Sequence, residues 1–249
     1  MKNILFTLLF STQIFFAQSF EKGNKSYQKG NYEEAIIHYE SILKDKKQSA
    51  ELFFNLGNCY YKLNKVAPSI YNFEKALLIK PNDKDIQNNL KFAQKLQIDD
   101  IKEVSRVGFN RVIQDFTSSN HYNTWASIAV MMSFLFLLFF VIYYFGETTL
   151  LKRIFFIGMI FTIFGIIISV SSAIFEKSNY DNDQPAIVFE EITVVKSEPT
   201  EVATTAFMLH EGTKVFVFET VDNFKKIEIQ DGKKGWIKSS AIKEIKRSF

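Results

Sequence analysis

Cysteine and histidine are scarce in this sequence, with one cysteine and three histidines among 249 residues. The lone Cys59 excludes an intramolecular disulfide, so the folded parts must be stable through packing alone. The histidines, His38, His121 and His210, fall in three separate segments with no Cys or carboxylate at metal-ligand spacing. The motifs G-x-S-x-G, H-E-x-x-H and the P-loop are also missing. The sequence therefore offers no support for an enzyme, a metal site or a cofactor.

Concentrated charge is missing as well. The net charge is +3 and no block of Lys and Arg stands out, so a nucleic-acid-binding surface is not expected.

Two runs, residues 124–145 and 154–175, contain no Asp, Glu, Lys or Arg at all. Each is close to the roughly 20 residues that a helix needs to cross a bilayer. Only residues 146–153 separate them, which predicts an antiparallel transmembrane hairpin whose flanks lie on the same side of the membrane.

Residues around the hairpin predict its orientation and contacts. Residues 1–17 have the basic, apolar and small-residue regions of a secretory signal peptide, which is either cleaved after Ala17 or kept as an anchor. Both outcomes export the following segment, and Lys152 and Arg153 then lie in a cytoplasmic loop, as the positive-inside rule prefers. Small residues on the second run would pack on the first run or on a helix of another protein. These small residues are Gly158, Gly165, Ser169 and Ser172.

An internal repeat with a 34-residue offset lies within residues 18–97. Gly-Asn pairs begin at Gly23 and Gly57, and each copy predicts two amphipathic helices joined by a tight turn. Pro81 ends the second copy, and residues 82–96 predict a capping helix. The matching positions in the two copies are Tyr27 and Tyr61, Ala35 and Ser69, Tyr39 and Phe73, and Leu43 and Leu77.

This pattern resembles the tetratricopeptide repeat, with two repeats and a cap forming a short all-α solenoid. The resemblance implies that an extended peptide binds in the groove lined by the first helix of each repeat. It departs from the subgroup that clamps a free carboxylate, since Phe20, Asp85 and Asn89 stand where that subgroup has basic residues. The alternative is that the groove-facing side chains are only solvated or meet a neighbouring helix. By family position these side chains are Asn24, Tyr27, Gln28, Asn55, Asn58, Tyr61 and Lys62.

Two linkers flank the apolar runs, at residues 98–123 and 176–183. Within the first linker, apolar residues such as Val112 and Phe116 fall near one helical face, while Arg111 lies elsewhere. This spacing predicts a short amphipathic helix over residues 107–116. The helix lies either at the headgroup level of the membrane or against the repeat domain.

Residues 184–249 change to an alternating pattern rich in β-branched residues, with turn signals between the runs. The pattern predicts about five short strands in a small antiparallel barrel. The order of elements and the segments LHEGTKV and DGKKGWI resemble the bacterial SH3-like domain. The resemblance places Trp236 on the barrel, either in its core or in a shallow groove. A cell-wall peptide and a protein partner are both open as ligands.

The whole chain is thus expected to be a multidomain membrane protein with a signal peptide, two repeats, two membrane spans and an SH3-like barrel. This order, together with repeat residues such as those at 64–94, resembles the BatE-like family of the bacterial Bat aerotolerance operon. The resemblance implies a non-catalytic inner-membrane scaffold with both domains periplasmic, linked to aerotolerance or oxidative stress. Its implied partners are membrane proteins with von Willebrand factor A domains, in a system with a MoxR-type ATPase. The alternative is an envelope sensor that binds peptidoglycan through the SH3-like domain.

Overall fold

The computed structural model describes residues 19–101 and 109–246, so the predicted signal peptide lies outside the described residues. The chain forms two compact units. The first unit joins the N-terminal segment, up to Val104, to the C-terminal segment Gln184–Phe249, and the second unit is Ser105–Asp183. The repeats and the β-rich segment therefore belong to one unit, although the second unit separates them in sequence.

Residues 19–101, the described N-terminal part of the first unit, contain five helices. They are α1 (residues 19–28), α2 (Tyr32–Lys44), α3 (Ala50–Lys62), α4 (Val66–Ile79) and α5 (Lys84–Gln94). Polar caps fix two of the helix starts, because a side-chain oxygen replaces the missing acceptor of the first turn. Ser49 Oγ accepts a hydrogen bond from the Leu52 amide, and Asp83 accepts one from the Ile86 amide.

The turns between the paired helices lie where the repeat pattern predicts them, and the paired helices pack closely. Gly30 and Asn64 have positive φ angles of 81° and 55° at the turns between the helices of each pair. Gly57 lies against the ring of Phe73, and a Cβ added at Gly57 would be 2.7 Å from that ring. Ser69 Oγ donates to the Gly57 carbonyl at 2.9 Å. The glycine and the small residue thus let α3 and α4 approach closely around a buried aromatic side chain.

Seven antiparallel strands lie in the part of the C-terminal segment that the structure describes, residues 184–246. They are β1 (Pro185–Val188), β2 (Ile192–Lys196), β3 (Thr205–His210), β4 (Lys214–Val221), β5 (Phe224–Ile229), β6 (Lys234–Lys238) and β7 (Ile242–Glu244). Their order is β3-β2-β6-β5-β4-β1-β7, with β3 and β7 at the edges. The prediction of a closed barrel is therefore wrong for the described residues. Ile245, directly after β7, packs into the core of the second repeat.

The core of the sheet and the core of the second repeat lie side by side in the first unit. Val188 and Ile227 are fully buried in the core of the sheet itself. Ile187 and Ile245 are instead buried together with Phe73 in the core of the second repeat. The alternation of side chains along a strand explains this division, since Ile187 and Val188 point to opposite faces of β1. The sheet therefore contributes side chains directly to the core of the repeats.

Among the described residues of the second unit, three segments are helical. They are α6 (Phe109–Thr117), α7 (Tyr122–Phe145) and α8 (Thr149–Asn182). Both α7 and α8 are long and apolar enough to cross a membrane, and most of their large apolar side chains are exposed. Thr148 Oγ1 accepts a hydrogen bond from the Leu151 amide and caps α8, so only residues 146–148 connect the two long helices.

The small residues of α8 pack on α7. A Cβ added at Gly158 would lie 2.8 Å from the Phe139 ring, and Gly165 also lies against α7. Ser169 and Ser172 continue this stripe and are both buried. Of the two contacts that the sequence leaves open for the stripe, the structure shows the contact with the first apolar run.

A hydrogen-bonded corner joins α6 to the long helices within the second unit. Trp125 Nε1 donates to the Thr117 carbonyl at 2.8 Å, and Thr117 Oγ1 donates to Glu176 Oε1 at 2.6 Å. Val112 and Phe116 remain exposed on α6. The predicted amphipathic helix is thus present over Phe109–Thr117, with apolar side chains open to its surroundings.

Candidate functional site

Paired asparagine side chains run along α1 and α3, the first helices of the two repeats, and along α5, the helix in the predicted cap. Asn55 Nδ2 donates to Asn24 Oδ1 at 3.1 Å, and Asn89 Nδ2 donates to Asn58 Oδ1 at 3.1 Å. The two pairs are repeat equivalents, because 34 residues separate Asn24 from Asn58 and Asn55 from Asn89. We call these four residues the asparagine ladder.

Tyr39 of α2 anchors one end of the asparagine ladder. Its hydroxyl donates to Asn24 Oδ1 at 2.6 Å, and the residue is 1% exposed. Burial raises the pKa of Tyr39 well above its usual value, so the phenol remains a hydrogen-bond donor. Each asparagine amide carries two N–H donors and an oxygen with two acceptor positions. The half-buried pairs therefore keep hydrogen-bonding capacity for a peptide backbone.

The other predicted groove residues differ in exposure. Gln28 and Lys62 are exposed, whereas Tyr27 and Tyr61 are half-buried. Tyr27 packs edge-on against Tyr32 with ring centroids 5.3 Å apart, and Tyr61 packs against the core of the second repeat. The two tyrosines thus support the surface from beneath, while Gln28 and Lys62 are accessible to a ligand.

Two members of this surface, Asn89 and Tyr39, are not among the predicted groove residues. The 34-residue offset from Asn55 to Asn89 is a signal in the sequence that identifies Asn89. Tyr39 carries no such signal, because an aromatic residue at its position is expected to pack between helices and does so. Its hydroxyl contact with the asparagine ladder depends on the angle at which the buried ring enters from α2.

A carboxylate joins the sheet to the repeats inside the first unit. Asp99, in the segment after α5, accepts hydrogen bonds at 2.7 Å from the His210 amide and from Thr213 Oγ1, and lies 2.7 Å from His210 Nδ1. Burial alone would raise the pKa of Asp99, but these hydrogen bonds outweigh burial and hold the pKa below its usual value. We call Asp99, His210 and Thr213 the aspartate clasp. It lies in a segment that the sequence predicts to be a linker.

Further contacts continue the interface beside the aspartate clasp. Lys214 Nζ pairs with Glu74 Oε2 at 2.7 Å. Gly212 has a φ of 86°, and a Cβ added there would lie 2.9 Å from Val66, so the turn and the close approach both require glycine. Gln97 Nε2 donates to the Gly212 carbonyl at 2.5 Å. The repeats and the sheet thus form one composite domain.

Trp236 and Cys59 are both buried. Trp236 is 9% exposed, and Lys226 Nζ lies 5.7 Å from the centroid of its ring.

Cys59 is completely buried in the core of the first repeat, and burial raises the pKa of its thiol to about 12. A reactive cysteine needs access and a lowered pKa, so Cys59 is a packing residue.

Comparison with known families confirms the repeats. A TPR repeat model matches residues 23–64, and a tetratricopeptide repeat model matches residues 50–83. The chain is 25% identical over 100 residues to tetratricopeptide repeat protein 16 of Homo sapiens, and 31% identical over 61 residues to the Hsp70-Hsp90 organizing protein of Triticum aestivum. These similarities cover 39% and 24% of this chain. They cover 10% of each relative, so the chain spans about a tenth of the length of the curated relatives it matches.

Proposed function

We propose that this protein is a non-catalytic, membrane-anchored adaptor whose repeats bind an extended segment of a protein partner. The observation that carries the proposal is the asparagine ladder, which presents amide pairs at the spacing of one repeat on α1, α3 and α5. An amide both donates and accepts, as the backbone of an extended peptide requires. Exposed Gln28 and Lys62 on the same helices supply further polar contacts.

The two long apolar helices support the membrane anchor in this proposal. In this proposal, α7 and α8 cross the bacterial inner membrane as a hairpin, and the composite domain lies in the periplasm. The aspartate clasp supports the two-pass topology, because segments before α7 and after α8 must share one compartment to pack together. Residues 1–17 act as the signal peptide, and the open sheet is an SH3-like domain in its order of elements.

The order of domains supports a role in a Bat-type complex linked to aerotolerance or oxidative stress. The partners in this proposal are membrane proteins with von Willebrand factor A domains, with a MoxR-type ATPase on the cytoplasmic side. One relative is named an organizing protein for Hsp70 and Hsp90, and bringing proteins together is the role proposed here. Peptidoglycan binding through the sheet receives less support, because Trp236 is only 9% exposed.

Photo-crosslinking in intact cells tests the groove. A photo-reactive phenylalanine analogue replaces Gln28 or Lys62 in the groove, or Glu33, an exposed residue of α2, as the matched control. We expect a crosslinked partner from Gln28 and Lys62 but not from Glu33, and Asn58→Ala should reduce the yield. The same crosslinked products from Glu33, or an unchanged yield with Asn58→Ala, would remove the groove from the proposal.

Reporter fusions test the anchor separately. Fusions after Leu96 and after Phe249 should report a periplasmic location. The fusion after Glu147 should report a cytoplasmic location. A cytoplasmic signal from the fusion at Phe249 would contradict the two-pass topology.

A further inference from the structure

The hydrogen-bonded corner of the second unit fixes the level at which α6 ends. Glu176 is the first charged residue after the apolar run of α8, and a charged side chain is costly in hydrocarbon. In the proposed anchor, Glu176 therefore marks the level at which α8 leaves the hydrocarbon. Thr117, the last residue of α6, donates to Glu176 Oε1 at 2.6 Å, and Trp125 in the first turn of α7 donates to the Thr117 carbonyl at 2.8 Å. The end of α6 is thus held at the boundary of the bilayer.

Aromatic side chains lie at the same level of the second unit. The rings of His121 and Tyr122, at the start of α7, have centroids 5.8 Å and 5.5 Å from that of Tyr180, near the end of α8. Tyrosine is enriched where a bilayer meets water, because its ring is apolar and its hydroxyl is polar. This cluster is a second indication that the corner lies at the membrane surface.

The helix α6 has an apolar side and a polar side. Val112 is 64% exposed and Phe116 is 51% exposed, and their four-residue spacing places them on one side of the helix. Ser118 directly follows α6, and its amide donates to the Gln114 carbonyl at 2.8 Å, so the helical turn continues to this residue. Ser118 is exposed two residues after Phe116, which is about 200° around at 100° per residue. Its side chain therefore lies opposite the apolar side.

The apolar side of α6 adjoins the start of α7. The ring centroid of Phe116 lies 5.3 Å from that of Trp125, at the beginning of the first apolar run. Large apolar side chains of α7 such as Phe134, which is 69% exposed, face lipid in the proposed anchor. A half-exposed ring that touches the first turn of a membrane span is within reach of the same lipid.

We propose that α6 is an interfacial helix that binds the periplasmic surface of the bilayer, an inference that rests on the membrane anchor of the proposed function. The side chains of Val112 and Phe116 enter the lipid layer just below the headgroups, and Ser118 faces water. Amphipathic helices that lie in the plane of a membrane bind in this way. Of the two positions that the sequence leaves open for this helix, the corner with α7 and α8 favours the membrane. The anchor then has three helices in contact with lipid.

Spin labelling of the full chain in vesicles of phosphatidylethanolamine and phosphatidylglycerol tests this placement. The labelling sites are Val112→Cys, Phe116→Cys, Ser118→Cys and Phe134→Cys, and the unsubstituted chain measures any background from buried Cys59. Collisions with oxygen, which concentrates in hydrocarbon, and with a water-soluble nickel chelate report the surroundings of each label. Relative to Ser118→Cys, we expect Val112→Cys and Phe116→Cys to lose collisions with nickel and gain collisions with oxygen.

The label at Phe134 separates this inference from the proposed function. If that label collides with nickel as readily as the label at Ser118, the membrane anchor is wrong and the interfacial helix is overturned with it. If it lies in hydrocarbon while the labels at Val112 and Phe116 collide with nickel as readily as that at Ser118, the interfacial helix alone is overturned. Labels at Val112 and Phe116 that are shielded from both reagents would show that protein covers this side of α6, and would also overturn the inference.

Tryptophan fluorescence gives a second measurement that leaves Phe116 in place. Val112→Trp and its matched control Ser118→Trp are reconstituted in the same lipids carrying brominated acyl chains, which quench a nearby indole. After subtraction of the signal of the unsubstituted chain, Val112→Trp should lose more fluorescence than Ser118→Trp. Equal quenching of the two variants, with circular dichroism showing that both are folded, would overturn the inference.

Discussion

The contacts of the aspartate clasp predict a measurable contribution to the stability of the composite domain. Asp99→Ala removes the carboxylate, so the His210 amide, the His210 ring and the Thr213 hydroxyl lose their partner. A hydrogen bond to a charged group contributes about 1.5–3 kcal/mol, and a buried donor left unpaired costs about 1–3 kcal/mol. Thr213 is 3% exposed, so water replaces the carboxylate poorly. We expect the free energy of unfolding to fall by about 3 kcal/mol.

Thermal unfolding of the full chain in detergent measures this loss. For a domain of 150–250 residues, 1 kcal/mol corresponds to about 2–4 °C, so the melting temperature should fall by roughly 6–12 °C. The matched control is Asp100→Ala, which removes an exposed carboxylate one residue away. Hydrogen exchange gives a local readout, because the His210 amide should exchange faster in Asp99→Ala and not in Asp100→Ala. A melting temperature for Asp99→Ala within about 2 °C of that for Asp100→Ala would refute the reasoning.

The clasp also makes this stability depend on pH. The folded pKa of Asp99 lies below its ordinary value of 3.8, so its carboxylate stabilises the fold above that pH. The contribution is lost as the pH falls through the folded pKa, and it is absent at every pH in Asp99→Ala. The stability difference between the two proteins should be complete at neutral pH and shrink below pH 3.8. A difference that stays constant through this acid range would contradict the role of the charge.

Three further predictions concern small residues and the cysteine. Gly57→Ala should lower the free energy of unfolding by about 1–3 kcal/mol, because the added Cβ would overlap the Phe73 ring; an unchanged denaturation midpoint would contradict this. Gly158→Ala should lower the melting temperature of the second unit in detergent, because the added Cβ would lie 2.8 Å from the Phe139 ring. Gly165→Ala should not, because its Cβ would lie 3.5 Å from the nearest atoms, those of Met132. Equal effects of the two substitutions would contradict the packing of α8 on α7. Cys59 should resist maleimide in the native protein and react after denaturation, because it is buried with a thiol pKa of about 12. Rapid labelling of the native protein would show that the first repeat opens.

The repeat region shows how much a periodic sequence predicts. The 34-residue offset identifies the helices and the turns, because each repeat buries the same positions against its neighbour. It does not identify the contact between Gly57 and Phe73, which lies within one helix pair. It also places Asn24 and Asn58 on equivalent surface positions. Sequence reasoning did not predict that these residues pair with Asn55 and Asn89, since the pairing depends on the spacing between adjacent helices.

The interface inside the composite domain lies beyond sequence reasoning for a different reason. Asp99 and Asp100 form an adjacent acidic pair that is typical of a solvated linker, and the partner His210 lies 111 residues away along the chain. Ile187 and Ile245 belong to ordinary strand patterns, which indicate that one face is buried but not against what. Hydrophobic periodicity is a local pattern, so it does not predict contacts between segments that are far apart in the sequence.

The start of α8 shows a smaller limit of the same kind. Lys152 and Arg153 lie directly before the second apolar run, and the sequence therefore predicts a loop through residue 153. The helix nevertheless begins at Thr149, because Thr148 caps it and backbone hydrogen bonds form regardless of side-chain polarity. Hydropathy thus predicts the segment that suits a bilayer, whereas capping predicts where the helix begins.

The burial of Ile187 and Ile245 in the repeat core has a consequence for the order in which the chain folds during synthesis. The ribosome completes α1–α5 first, yet their core needs side chains from strands that follow both long helices. Until those strands emerge, an apolar surface of the second repeat stays uncovered and exposed to chaperones or to aggregation. Contacts between such distant segments also form slowly. The core of the second repeat is therefore complete only after β1 and the residue that follows β7 have been translated, whereas the core of the first repeat contains residues of the N-terminal helices alone.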